Sequence, residues 1–115
     1  MRAPEPRPRR EGIRMQPLTS SQRRYLKSLA HHLDPECYVG KHGLTDAVVE
    51  AIERAFTAHE LLKVKFIDGK KEKREIAARI EEETGSRLVG VVGNIAVFYR
   101  TNPDKEKRGI VLPER

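Results

Sequence analysis

Four residues in the stretch YVGKHGLTD, residues 38–46, have the types and spacing to bind an anion: Gly40 and Gly43 bracket Lys41 and His42. Glycine takes positive φ readily and lets a second chain come close to the backbone. Thr45 has the chemistry of an N-cap for a following helix, so free backbone N–H groups and the positive end of a helix dipole face the same space. With Lys41 and His42 beside them, the anion those groups suit is phosphate. Asp46, in the first helical turn, favours the dipole but opposes an anion. Two glycines at this spacing also make an ordinary turn, so the rest of the chain has to decide between the two readings.

Other patterns that carry chemistry do not complete. His59 precedes Glu60, but no second histidine follows at the spacing of a zinc protease. His31 and His32 are neighbours that cannot easily share one metal, and a single cysteine, Cys37, leaves a zinc set unfilled. Gly85, Gly90 and Gly93 do not form a dinucleotide fingerprint, and GKHG is too short for a phosphate-binding loop of the Walker type. No nucleophile stands beside a base. The sequence therefore reads as non-enzymatic, with no metal, no cofactor and no small-molecule substrate.

The elements that would position the loop follow from periodicity. Thr19 and Gln22 have capping-box spacing, and Leu26, Leu29, Ala30 and Leu33 form an apolar stripe, which predicts a first helix ending near Leu33, closed by Asp34 and Pro35. Its outer side offers Arg23, Arg24 and Lys27, either as a solvated face or as one turned to a polyanion. Residues 36–39 predict the first strand, which leads into the glycine loop. Val48, Val49, Ile52, Ala55 and Phe56 predict a second helix over 45–59. In LLKVKFI, Leu62, Val64 and Phe66 alternate with Lys63 and Lys65, so the second strand has one face that is partly polar, suited to RNA or simply exposed.

Residues 70–84 predict a third helix with Ile76, Ala77 and Ile80 inward and Gly85 just past its end. Lys70, Lys71, Lys73 and Arg74 crowd its start and Glu81, Glu82 and Glu83 its end, against a macrodipole preference of roughly 0.3–1 kcal/mol per charge. That arrangement hints at a second basic patch. Two strands, 87–92 and 95–100, are joined by Gly93 and Asn94 as in a type II′ hairpin. The order α, β, α, β, α, β, β predicts an α/β fold: an N-terminal helix, then βαβαββ with right-handed crossovers in a mixed four-stranded sheet. The closing residues 102–115 form a charged tail whose Ile110, Val111 and Leu112 suit a short edge strand.

At 115 residues and 37% hydrophobic content the chain holds one domain with one core. The formal net charge is +6, and residues 1–15 supply +3 of it through five arginines against two glutamates. Residues 1–16, with three prolines among the first eight, read as a disordered basic arm, either a solvated tail or an arginine arm for phosphates. The balance favours nucleic acid over membrane, because no strongly amphipathic basic helix appears. One cysteine fits a reducing compartment, and no apolar run reaches the ~20 residues of a membrane span. The chain is expected to be a monomer in the cytoplasm.

Several stretches coincide with one family. LTSSQRRYLKSLAHHLDP, VGKHGLTDAVVEAIERAFTAHELLKVKF, EIAARIEEETGSRLVGVVGNIAVFYR and the closing IVLP together resemble the CRM domain (chloroplast RNA splicing and ribosome maturation) in its bacterial single-domain, YhbY-like form. The resemblance covers residues 18 onward, which sets a domain at 17–101 and leaves the arm outside. It implies RNA binding through Gly40, Lys41, His42 and Gly43, a loop between the first strand and second helix as in KH domains. Bacterial members associate with precursors of the large ribosomal subunit, and plant organellar relatives assist intron splicing. The residue reading adds Arg23, Arg24, Lys27, Lys63, Lys65, Lys70 and Lys71 as basic surface. The expectation is an RNA-binding protein that assists large-subunit assembly. The alternatives are a general RNA chaperone, a group II intron splicing cofactor, or a protein-interaction module on the pre-ribosome.

Overall fold

The computed structural model describes residues 17–68 and 72–113. The arm over 1–16, and Lys70 and Lys71, lie outside the described residues. Helix α1 (Ser20–Ala30) starts at a capping box: Thr19 Oγ1 accepts the Gln22 N–H and Gln22 Oε1 accepts the Thr19 N–H, both at 3.0 Å. Two donors that a helix start leaves orphaned are satisfied there. The helix stops at Ala30 and not near Leu33. The N–H groups of His32 and Leu33 reach back only three residues, to Leu29 O and Ala30 O (3.5 and 2.9 Å). This tightened turn brings the chain out toward Pro35 and leaves Leu33 exposed.

Strand β1 (Cys37–Val39), helix α2 (Asp46–Ala58), strand β2 (Leu61–Phe66), helix α3 (Lys73–Thr84) and strands β3 (Arg87–Val92) and β4 (Ile95–Tyr99) follow in the expected order. The sheet order is β1-β2-β4-β3, with β1 parallel to β2 and β4 antiparallel to both its neighbours. Strand β3 thus runs parallel to β2 with β4 between them. The hairpin turns on Gly93 at φ 60, where glycine is needed. A register shift between Leu88 and Gly90 places an extra residue, Val89, in β3.

The two faces of the sheet are covered differently. On the inner face Val39, Leu62, Val64, Phe66, Ala96 and Phe98 pack against Val49, Ile52 and Phe56 of α2 and Ile76, Ala77 and Ile80 of α3. On the outer face α1 sets Leu26 and Ala30, with Leu18, on Leu61, Val89, Val97 and Tyr99. The lysine side of β2 is therefore the side that α1 half covers. Cys37 is buried in the inner core, and burial, followed by the Glu36 carboxylate, pushes its thiol up from the ordinary value. It acts as a small apolar residue.

Helix α3 begins at Lys73, behind Glu72, whose side chain makes no capping bond, while residues 70 and 71 of the expected helix lie outside the described residues. Gly85, at φ 72, ends it. Arg100 closes this side of the core: its Nη1 donates to Glu53 Oε1 and to Thr84 O (2.9 Å each), and its guanidinium lies 4.7 Å from the centre of the Phe56 ring. A buried cation so placed is paired, hydrogen-bonded and stacked at once.

The tail forms no edge strand over 108–113. Its backbone donors go to a side chain: buried Glu60 accepts the N–H of Asn102 (2.7 Å), Gly109 (3.0 Å) and Ile110 (3.1 Å). Gln22 Nε2 donates to Pro113 O (2.9 Å), and Ile110 and Leu112 pack beside α1. A strand would have used those donors in a ladder; one carboxylate takes three of them. Glu60→Ala is expected to speed hydrogen exchange at Asn102, Gly109 and Ile110 by at least about ten-fold, with a stability loss of about 2 kcal/mol, because a buried N–H left without a partner costs about 1–3 kcal/mol. Unchanged exchange at those amides would show that the tail is held by its apolar contacts instead.

Candidate nucleic-acid interface

The glycine loop leaves the end of β1 and delivers the chain to α2. Gly43 N–H donates to Gly40 O (3.0 Å), so Lys41 and His42 stand at the corners of a closed turn, both exposed. Gly43 holds φ +73, the left-handed region, whereas Gly40 does not. A Cβ added at either glycine would meet nothing within 4 Å, so open space faces both. Leu44, buried, pins the far side of the turn. Thr45 then caps α2, its Oγ1 accepting the Val48 N–H (3.2 Å). The turn is thus rigidly tied at both ends and presents two cationic-type side chains, without bulk at either flank, beside a helix N-terminus. Asp46 sits in the first turn of that helix, exposed.

The strand pairing brings further residues to this same end of the sheet. Ile67 N–H donates to Val39 O (2.9 Å) and Phe66 N–H to Asn94 O (2.7 Å), so the exit of β2 and, beyond it, the β3–β4 hairpin stand at the loop's end of the sheet. Lys73 Nζ donates to Gly93 O, which ties the start of α3 to that hairpin. Lys65, exposed on the outer face, is directly opposite Tyr38 of β1 and Ile95 of β4.

The other basic residues are dispersed. Lys63 is one outer-face position further from the loop, and its Nζ is engaged by Leu33 O (2.8 Å). Lys27 lies on α1 with its stem over β3: a Cβ at Gly90 would fall 2.5 Å from Lys27 Cε. Arg23 turns back to Leu18 O (3.1 Å), and Arg24 is exposed on the same helix. The loop and Lys65 therefore share one end of the molecule, Lys27 and Lys63 border it on the outer face, and Arg23 points along α1. The opposite end of the sheet carries an apolar cleft lined by Leu29, Leu33, His59 and Ile110, with an exposed His59–Glu36 pair at 3.6 Å. Among the described residues no group of three or more metal-ligating side chains occurs, and no helix is long and apolar enough to cross a membrane.

Sequence reasoning passed over Tyr38, which is half exposed on the outer face two residues before the loop. The signal for it was the same alternation that marked the lysines of β2: Cys37 and Val39 are buried, so the residue between them must point out. Glu60 and Arg100 carried no such signal, because their partners are 16 or more residues away.

The model of the CRS1/YhbY (CRM) domain matches residues 18–100. A protein of Haemophilus influenzae named RNA-binding protein is 39% identical over 102 residues, spanning 88% of this chain and all of that one. The probable RNA-binding protein YqeI of Bacillus subtilis is 38% identical over 97 residues, or 84% of this chain and 99% of its own. The fold matches the solution structure of a hypothetical protein from Staphylococcus aureus with a TM-score of 0.71 and 36% identity, over 84% of this chain and 99% of that one.

Proposed function

The chain belongs to the CRS1/YhbY (CRM) domain family, and from that premise we propose that it is a non-enzymatic RNA-binding protein that assists assembly of the large ribosomal subunit. The observation that carries the reading is the turn at residues 40–43: exposed Lys41 and His42, open space at both glycines, and a capped helix N-terminus behind them. The relatives named as RNA-binding proteins support the choice of RNA as the polyanion. In this reading Gly40 and Gly43 admit the RNA backbone and Lys41 and His42 meet its phosphates. Lys65 extends the contact across the sheet end, and Lys27, Lys63, Lys70, Lys71, Arg23 and Arg24 add a diffuse basic field. The arm over 1–16 supplies further arginines to the same backbone. The protein acts as a monomer in the cytoplasm on precursor ribosomal RNA.

Binding held by phosphate contacts must weaken as salt rises, because releasing condensed counterions into a more concentrated solution is less favourable. Lys41→Ala is expected to lower affinity modestly and to reduce the log–log salt slope by about one. Deleting residues 1–15, with their five arginines, flattens the slope further; an unchanged slope would make the arm a bystander. Co-sedimentation with large-subunit precursors, with and without ribonuclease, tests the biological half of the reading. Sedimentation that survives ribonuclease would favour attachment through protein and count against it.

A further inference from the structure

The outer face of the sheet is not fully covered by α1. Pairing across all four strands aligns Tyr38 with Lys65, Lys65 with Ile95, and Ile95 with Val92. This row spans the sheet from one edge to the other, roughly 14 Å at about 4.8 Å per strand. The neighbouring outer positions further along, Val97 and Val89, lie under α1, as do Leu61 and Tyr99. The row lies past the helix: Tyr38 is 50% and Val92 68% exposed, Lys65 is exposed, and Ile67, the next outward position after Lys65, is 59% exposed.

We propose that this row is a base-binding platform, on which unpaired bases of a single-stranded RNA segment rest while the loop at 40–43 holds the adjoining backbone. The inference rests on the RNA-binding reading above and adds the form of RNA that the protein selects. Three features carry it. An aromatic ring and aliphatic side chains in one line offer stacking and apolar contact, which suit base faces and not phosphates, and the Lys65 ammonium between them can meet the phosphate that joins two bases. The platform is continuous with the loop, since Tyr38 and Gly40 are separated by one residue, so backbone clamp and base surface are in reach of neighbouring nucleotides. The row itself contains a cation and no acid; Asp68 follows the strand outside it. A duplex keeps its base faces hidden and cannot use such a surface.

The test uses the full chain, one single-stranded RNA of 12 nucleotides of mixed sequence, and the same sequence as a duplex. Tyr38→Ala is expected to weaken single-strand binding by about ten-fold or more while leaving duplex binding within about two-fold, and to leave the salt slope unchanged, since stacking releases no counterions. Tyr38→Phe retains the wild-type affinity. The chain has no tryptophan, so Tyr38→Trp introduces a single reporter whose fluorescence should be quenched by the single strand. Thermal melts of all three variants match wild type, because Tyr38 is a surface residue. Single-strand affinity unchanged by Tyr38→Ala, or reporter fluorescence indifferent to saturating RNA, overturns the platform. If Lys41→Ala still lowers affinity in those same titrations, the loop reading stands without it; if wild type binds neither RNA, the RNA reading itself fails. Loss of co-sedimentation with precursors while single-strand affinity is intact would make the row a protein contact and equally overturn the proposal.

Discussion

Phe56→Ala is expected to remove about 3–5 kcal/mol from the stability of the domain, the usual cost of truncating a buried phenylalanine. Phe56 is 2% exposed and lies where α2 meets the inner face of the sheet, so its removal leaves a void bounded by elements that cannot all close upon it. A second loss adds to the first. The ring is also the surface under Arg100, whose guanidinium joins Glu53 of α2 to the last carbonyl of α3. Without the ring that buried cation loses its stacking partner and admits water. Domains of this kind are stable by only about 5–15 kcal/mol in total, so the variant should be marginal. Chemical denaturation checks it: a midpoint shift equivalent to less than about 1 kcal/mol would contradict the packing described for α2, since surface changes stay within about 0.5 kcal/mol.

Much of this architecture was legible in the sequence, and for identifiable reasons. The capping box at Thr19 and Gln22, the N-cap at Thr45 and the alternation of LLKVKF are local signals, read within one turn or one strand, and the structure uses all three. Gly85 and Gly93 were readable because a left-handed backbone strongly favours glycine. What failed was set by distant partners. The tail looked like an edge strand because Ile110, Val111 and Leu112 are β-formers, but Glu60, about fifty residues earlier, takes the backbone donors a strand would need. The expected third helix takes in Glu72 because lysine and glutamate are good helix formers and nothing local shows that α3 opens only at Lys73. The apolar stripe of the first helix continues to Leu33, past the point where the backbone has already tightened.

The candidate site divides the same way. The glycine pair, Lys41 and His42 could be located from spacing, and Lys65 from alternation. That Lys65 stands at the same end of the sheet as the loop depends on the parallel pairing of β1 with β2, which no local pattern specifies. Nor did the sequence reveal which of the two glycines holds positive φ. This matters for the choice of variant. At Gly43, with φ +73, any side chain strains the backbone by roughly 1–2 kcal/mol, so a loss of binding there would mix folding with contact.

Gly40→Asp separates the two. Gly40 is outside the left-handed region and open space surrounds the position of its Cβ, so the free protein should accept the side chain. A bound RNA backbone should not. The new carboxylate would add bulk beside Lys41 and put a negative charge where phosphate is proposed to sit. The expected loss is on the order of a hundred-fold in affinity, or about 2.8 kcal/mol. Gly40→Ala, which adds bulk without charge, should lie between the variant and wild type. The central claim, that RNA is held at this turn, is tested most directly by titrating one RNA into wild type and Gly40→Asp at the same salt concentration, with circular dichroism and melting temperature recorded on the same samples. The account predicts matching spectra and melts with affinity lowered on the order of a hundred-fold; a variant that folds as wild type and binds the RNA as tightly would contradict it and reduce the loop to a turn.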